Sequence, residues 1–207
     1  MLVLDATEGA LQRLSAALDA AAVASVVIAP VAGRPLDAAT TAPLVTATQK
    51  AGAAALISGD ARLARTLKAD GVHLPLCANL EEAYNAAREL ISQRFIVGVD
   101  AGASRHDAMT AGESGADYFG FALVAAATDD ETAQAERLDL IAWWSEIFEV
   151  PSVAFDVATA SDAGDLAAAG ADFIAVHVAA GASPASVREL IAAMSAAIAA
   201  TNAPANS

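Results

Sequence analysis

One phrase occurs three times along the chain, and it restricts the fold more than any other feature. The copies are Lys68-Ala69-Asp70-Gly71-Val72-His73, Gly115-Ala116-Asp117-Tyr118-Phe119-Gly120-Phe121 and Gly170-Ala171-Asp172-Phe173-Ile174-Ala175-Val176-His177. Each follows an alanine-rich helical stretch, and in two copies a glycine closes that stretch, as a left-handed C′ position favours. A tight Ala-Asp turn comes next, then a short apolar run without polar alternation. Such a run reads as a parallel strand covered on both faces. A helix, a short turn and a buried strand, repeated, describe an α/β barrel or an open α/β sheet.

Eight strands are expected at Leu2–Leu4, Ser25–Ala29, Ala54–Ile57, Gly71–Leu74, Phe95–Val99, Tyr118–Phe121, Ser152–Phe155 and Phe173–Val176. Helical patterns separate them at Gly9–Ala22, Ala38–Ala51, Ala61–Lys68, Leu80–Ser92, Arg105–Glu113, Glu131–Phe148, Ala160–Ala169 and Pro184–Ala199. Ser183 and Pro184 supply an N-cap and an N1 proline for the last helix. Pro43 is the weak point of the second helix, whose start could lie near it. Eight such alternations suit a single-domain (β/α)8 TIM barrel over residues 1–200. A doubly wound sheet is the rival. Residues 201–207, small and polar with Pro204, read as a disordered tail.

The chain has 207 residues, room for one large core. Its net charge is −14. That balance argues against nucleic acid or an anionic membrane as partner, since phosphate attracts basic patches. It also argues against a strongly anionic substrate unless the cations cluster. A single cysteine, Cys77, precludes an internal disulfide and suits a reducing cytoplasm. No long apolar run suggests a membrane span, and no basic stretch precedes Leu2-Val3-Leu4 as in a signal peptide.

In a barrel of this kind, chemistry gathers where strands end at their C-termini. Those positions hold Asp5, Pro30, Ser58, Gly59, Asp60, His73, Leu76, Asp100, Ala122 to Asp130, Asp156 and His177. A small molecule at this mouth is therefore the expected partner. Asp100, Asp156 and His177 are the candidate catalytic residues. Asp5, Ser58, Asp60, His73, Leu76 and Ala122 are the candidate pocket. The strand-end carboxylates could hold a cation or a protonated amine, or could cap helices. His73 and His177 could move protons near neutral pH, and a structural hydrogen bond is the bland alternative, favoured for His73. Cys77 could serve as a thiolate beside His73 or fill space. His106 reads as a surface residue. No HExxH pattern or cysteine pair points to a metal site. The glycines match neither GxGxxG nor a P-loop. Trp143 and Trp144 are adjacent, so both cannot face one helical stripe, and one is left for a partner subunit. A homo-oligomer is thus a further possibility.

A family resemblance rests on Leu63-Ala64, Ala69-Asp70-Gly71-Val72-His73-Leu74, Val97-Gly98-Val99, Gly115-Ala116-Asp117-Tyr118-Phe119-Gly120, Val150-Pro151-Ser152-Val153-Ala154 and Gly170-Ala171-Asp172. With this set the chain resembles thiamine phosphate synthase. The resemblance implies a (β/α)8 barrel that joins hydroxymethylpyrimidine diphosphate to a thiazole phosphate with magnesium and releases pyrophosphate. The family's reactive positions are replaced. Its Gln-x-Arg-x-Lys falls on Val26-Val27-Ile28-Ala29-Pro30, and its Asn-Asp-Arg on Ser58-Gly59-Asp60. Its His-Leu-Gly-Gln-x-Asp falls on His73-Leu74-Pro75-Leu76-Cys77-Ala78, and its fifth-strand serine on Asp100. Its lysine-bearing loop falls on Ala122 to Asp130, its Gly-Gly on Asp156-Val157 and its phosphate-binding serine near His177-Val178. Diphosphate transfer needs cations and backbone donors around the leaving group. With acids in their place, the expectation is a degenerate diphosphate and magnesium site, no cofactor, and a family activity lost or altered. The alternatives are a non-catalytic ligand-binding or assembly protein, or an enzyme for a neutral or cationic small molecule working through Asp100, Asp156 and His177.

Overall fold

The three Ala-Asp turns do one physical job. Asp70 accepts the Ala55 N–H at 2.8 Å, Asp117 accepts the Val97 N–H at 2.7 Å, and Asp172 accepts the Ser152 N–H at 2.8 Å. In each case the carboxylate that opens one strand satisfies the first free amide of the strand before it. The repeat thus welds neighbouring strands at the N-terminal end of the sheet. Such a bond to an ionised acceptor is worth about 1.5–3 kcal/mol.

The computed structural model describes residues 1–102, 104–112, 115–123 and 130–201, and of residue 130 only the backbone. Parallel strands β1 (Leu2–Asp5), β2 (Ser25–Ala29), β3 (Ala54–Ser58), β4 (Gly71–Leu74), β5 (Ile96–Asp100), β6 (Tyr118–Phe121) and β7 (Ser152–Ala154) pair in sequence order. The eighth strand is broken at Ala175 into β8 (Phe173–Ile174) and β9 (Val176–Val178). The first piece pairs with β7 and the second with β1, which closes the sheet into a barrel. Ala175 N–H still donates to Ala154 O at 2.8 Å, so the break leaves that amide satisfied.

Among the described residues eight helices wrap the sheet: α1 (Ala10–Ala20), α2 (Ala38–Lys50), α3 (Ala61–Leu67), α4 (Leu80–Leu90), α5 (Arg105–Gly112), α6 (Asp130–Ile147), α7 (Ala160–Ala168) and α8 (Pro184–Thr201). The single-domain (β/α)8 reading therefore holds. Helix α2 begins at Ala38, capped by Asp37, and runs through Pro43, so its start is not displaced to the proline. Thr201 ends α8 rather than opening a tail, and residues 202–207 lie outside the described residues.

Alternation along the strands separates two cores. Outward residues such as Leu4, Val26, Ile28, Ile57, Val72, Val97 and Phe119 pack under the helices. Inward residues Val27, Leu56, Tyr118, Val153, Phe155 and Ala175 fill the barrel. Each fully buried aliphatic side chain contributes about 1.5–3 kcal/mol relative to exposure. Every strand thus delivers its next inward residue to the same rim.

Candidate functional site

Two histidine–aspartate pairs stand at that rim, on opposite sides of the ring. At the closing seam, Asp5 ends β1 and His177 lies in β9, in register with Val3. Asp5 Oδ1 is 2.9 Å from His177 Nε2, and Asp5 Oδ2 accepts the Ala180 N–H at 3.1 Å. The Asp5 side chain is 16% exposed and that of His177 52% exposed. An ionised Asp5 selects the Nε2–H tautomer of neutral His177 and leaves the Nδ1 lone pair free for proton exchange. Beneath, Arg13 is buried, and its guanidinium donates to Asp5 O at 3.2 Å, Glu8 O at 3.0 Å and Thr7 Oγ1 at 2.7 Å. Its charge is spent on holding the β1–α1 loop.

The second pair sits on β4 and β5. His73 is buried, with Nδ1 2.9 Å from the Tyr118 hydroxyl and Nε2 3.4 Å from Asp100 Oδ1. Burial first, and the nearby Asp100 charge second, hold the Tyr118 hydroxyl well above its ordinary pKa. The phenol therefore stays protonated, and in the tautomer that carries its hydrogen on Nε2, facing Asp100, His73 Nδ1 accepts from it. Asp100 Oδ2 also accepts the Leu76 N–H at 3.1 Å. Phe155 stacks on the imidazole at 5.0 Å between ring centres. Two glycines make room for these rings. A Cβ on Gly98 would come within 1.9 Å of the Tyr118 ring, and one on Gly120 within 2.6 Å of Phe155 and 2.7 Å of Asp100.

The remaining candidates are placed differently. Asp60 caps α3, its Oδ1 accepting the Leu63 N–H at 2.8 Å. Ser58 ends β3 in register with His73. Ala122 packs against the inner core. Leu76 is 64% exposed. Asp156 adopts a left-handed backbone, φ 55°, where the resemblance puts a glycine, and it accepts the Leu123 N–H at 3.1 Å. Aspartate tolerates that region better than most residues. So Asp5 meets His177 and Asp100 meets His73, whereas the hydrogen bond of Asp156 goes to the end of β6. The loop from Val124 to Asp129 lies outside the described residues, and Asp130, on which the resemblance places the family's lysine, is described by its backbone alone. Among the described residues no cluster of three or more His, Cys, Asp or Glu is arranged to hold a metal. Gly59 and Ala78, on which the resemblance places the family's two magnesium carboxylates, carry no side-chain oxygen.

Several residues beyond the sequence candidates shape this end of the barrel. Arg137 of α6 is 2% exposed. It donates to Phe155 O, and its Nη2 lies 2.9 and 3.0 Å from the two Asp162 oxygens on α7. Tyr118 and Phe155 were legible only as strand residues. Their signal lay in the period-two phase of Tyr118-Phe119-Gly120-Phe121, which turns Tyr118 and Gly120 inward together. Beside Asp100 a cleft of about 550 Å³ opens between α4 and α5, lined in part by Cys77, Glu81, His106 and Asp107. Trp144 is buried at 1% exposure, its Nε1–H donating to Val150 O at 2.8 Å. Trp143 is half-buried under the Arg105 guanidinium at 5.2 Å, and no described helix is long and apolar enough to cross a membrane.

The family description for thiamine monophosphate synthase matches residues 1–180. The chain belongs to the thiamine monophosphate synthase family. Thiamine-phosphate synthases of Erythrobacter litoralis and Hyphomonas neptunium are 42% and 41% identical to it over 123 and 128 residues. Those matches take in 58% and 62% of this chain and 56% and 57% of the relatives, so the chain spans little more than half the length of the curated relatives it matches. Among solved structures, thiamine phosphate pyrophosphorylase from Pyrococcus furiosus superposes with a TM-score of 0.76 at 20% identity, over 98% of this chain and 96% of that one. The α/β chain of a native KDPGal structure reaches the same TM-score at 16% identity, covering 97% and 94%. These two likenesses concern the fold of this family barrel.

Proposed function

We propose that this member of the thiamine monophosphate synthase family binds a small molecule at the C-terminal mouth of its barrel, with the family's diphosphate-releasing condensation lost or altered. The observation that carries the reading is the charge of the rim. The inward polar side chains described at the strand ends are Asp5, Ser58, His73, Asp100 and His177, none of them a lysine or arginine. The nearby guanidinium of Arg13 is engaged by loop oxygens, and that of Arg137 by Phe155 O and Asp162. A leaving pyrophosphate concentrates negative charge and needs cations or aimed N–H groups. Fixed carboxylates 4 Å from such a charge oppose it by about 1 kcal/mol per pair even in bulk water, and more where solvent is excluded.

The chemistry this rim favours is proton transfer on a neutral or cationic compound. His177, aligned by Asp5, has one ring nitrogen free to exchange a proton and a carboxylate to steady the imidazolium that forms. His73 is buried against Tyr118 and Phe155, and acts by positioning Asp100. The test is incubation of the purified protein with hydroxymethylpyrimidine diphosphate, thiazole phosphate and magnesium. Thiamine phosphate should not accumulate, and neither precursor should raise the melting temperature. Steady product formation would overturn the reading.

A second reading has an observation of its own. Met109 is 54% exposed and Ile147 62% exposed on the α5–α6 face that carries Trp143, an apolar surface suited to self-association. Sedimentation of the wild type against Trp143→Ala and Ile147→Glu separates the two. A monomer in all three at micromolar concentration rejects assembly through this face.

A further inference from the structure

We propose that the N-terminal end of the barrel interior is a binding site for a small neutral molecule with an apolar body and one hydroxyl group. The site lies at the opposite end of the barrel from the mouth. Its origin is the alternation along the strands. Ser25 and Ala54 come two residues before inward Val27 and Leu56, so they face the barrel axis one layer lower. Both are small, and the layer is left underfilled. A chamber of about 230 Å³ results, with Met1, Ile96, Tyr118 and Phe173 among its apolar walls. Phe173 is 36% exposed, although its neighbours in the strand are buried. An apolar cavity of about 150 Å³ holds benzene. The chamber therefore has room for a single ring with a short substituent.

Ser25 supplies the polar point. It is 8% exposed, it lines the chamber, and its hydroxyl has no hydrogen-bond partner among the described residues. A buried hydroxyl left without a partner is costly, and a ligand hydroxyl removes that cost by accepting or donating one bond. The chamber offers no free charge. Asp117 borders it, but its Oδ2 accepts the Val97 N–H and lies 2.6 Å from Arg88 Nη2. The Met1 amine donates to Ile174 O at 2.9 Å, and burial lowers its pKa to about 6, so it is uncharged at neutral pH. The lining described includes no lysine or arginine. An ion would lose its hydration here without gaining a counter-charge. A wholly apolar compound would leave the Ser25 hydroxyl unpaired.

The experiment titrates the full chain with 4-methylphenol by calorimetry at neutral pH. Toluene, the same body without the hydroxyl, and 4-methylbenzoate, an anion of similar body, are the controls. Saturable heat with 4-methylphenol is expected below millimolar ligand, with toluene about fivefold weaker, the weight of one hydrogen bond, and no heat from the anion. Ser25→Ala should bind 4-methylphenol and toluene alike. Ala54→Leu fills the chamber and should abolish both heats. Circular dichroism confirms that the variants fold, and Ser25→Ala decides by itself if Ala54→Leu does not. His177→Ala, at the other end of the barrel, should bind as the wild type does. Four results would each overturn the assignment: no saturable heat with 4-methylphenol, toluene bound as tightly as 4-methylphenol by the wild type, a preference for the hydroxyl that survives in Ser25→Ala, or binding lost in His177→Ala but kept in Ala54→Leu. Because the mouth reading is judged by product formation from the two precursors, the two proposals fail separately.

Discussion

Replacing Arg137 by methionine isolates the strongest single interaction near the mouth. The arginine is 1% exposed in its side chain and Asp162 8% exposed, and both oxygens of Asp162 lie within 3.0 Å of Nη2. Arg137 also donates to Phe155 O, the carbonyl just before left-handed Asp156. Methionine keeps most of the volume, so cavity formation adds little. What remains is a carboxylate buried without its cation, together with an unpaired carbonyl. Removing one partner of a buried pair costs about 3–5 kcal/mol. For a domain of this size that lowers the melting temperature by roughly 6–20 °C, at about 2–4 °C per kcal/mol. Replacing both members, Arg137→Met with Asp162→Leu, removes the stranded charge and should recover most of the loss. Two-state urea unfolding of the wild type, both single variants and the double variant closes the cycle. A loss below 1 kcal/mol in Arg137→Met, or a double variant no better than the single, would refute the assignment of this pair as the clamp between α6, α7 and the end of β7.

Gly98→Ala should destabilise the barrel by about 2 kcal/mol or more, since its Cβ would enter the Tyr118 ring, and Gly98→Ala with Tyr118→Leu should regain part of that in the same unfolding assay. Asp117→Ala leaves the Val97 N–H without its acceptor and Arg88 Nη2 without its carboxylate, while Arg88 keeps Phe95 O and the Tyr84 hydroxyl, and should cost about 1–3 kcal/mol, measured by thermal unfolding at pH 7. Asp37 caps α2, and bonds from the Thr40 hydroxyl first, then the Thr40 and Ala39 amides, hold its carboxyl below the ordinary value of 3.8. Its contribution is therefore complete above that value and disappears as pH falls through the lowered one, so the melting-temperature gap between the wild type and Asp37→Ala should be full at pH 6 and shrink below pH 3.8.

The parts of the fold carried by local chemistry were readable from the chain. Asp37, Asn79, Thr159 and Ser183 sit just before helices and cap them, because a short side chain that accepts an N2 or N3 amide is a local device. The Ala-Asp turns were equally visible, since the same need recurs wherever a helix returns to a buried strand. The pairing of Asp5 with His177 was not, because it joins residues 172 positions apart and depends on how the ring closes. The break at Ala175 was hidden for the same reason. A continuous apolar run gives no sign of where its partner changes from β7 to β1. Arg137 lay unnoticed in a helix where Glu131, Glu136, Asp139 and Glu146 face water, because burial of an arginine depends on an acid from another helix. His106 reads from the sequence as a surface residue, and it is exposed, yet the packing of α4 beside α5 makes its surface a cleft. Asp60 shows the converse. It stands at a strand end, where chemistry is expected, and spends its carboxylate on the helix that follows.

In the function proposed, the mouth has exchanged the means of holding diphosphate for carboxylates. Calorimetric titration with inorganic pyrophosphate and magnesium tests it without any assumption about substrate. No saturable binding is expected up to millimolar ligand, and none gained in the presence of thiazole phosphate. Micromolar binding that requires magnesium, and that weakens in Asp100→Asn or Asp60→Asn, would contradict it.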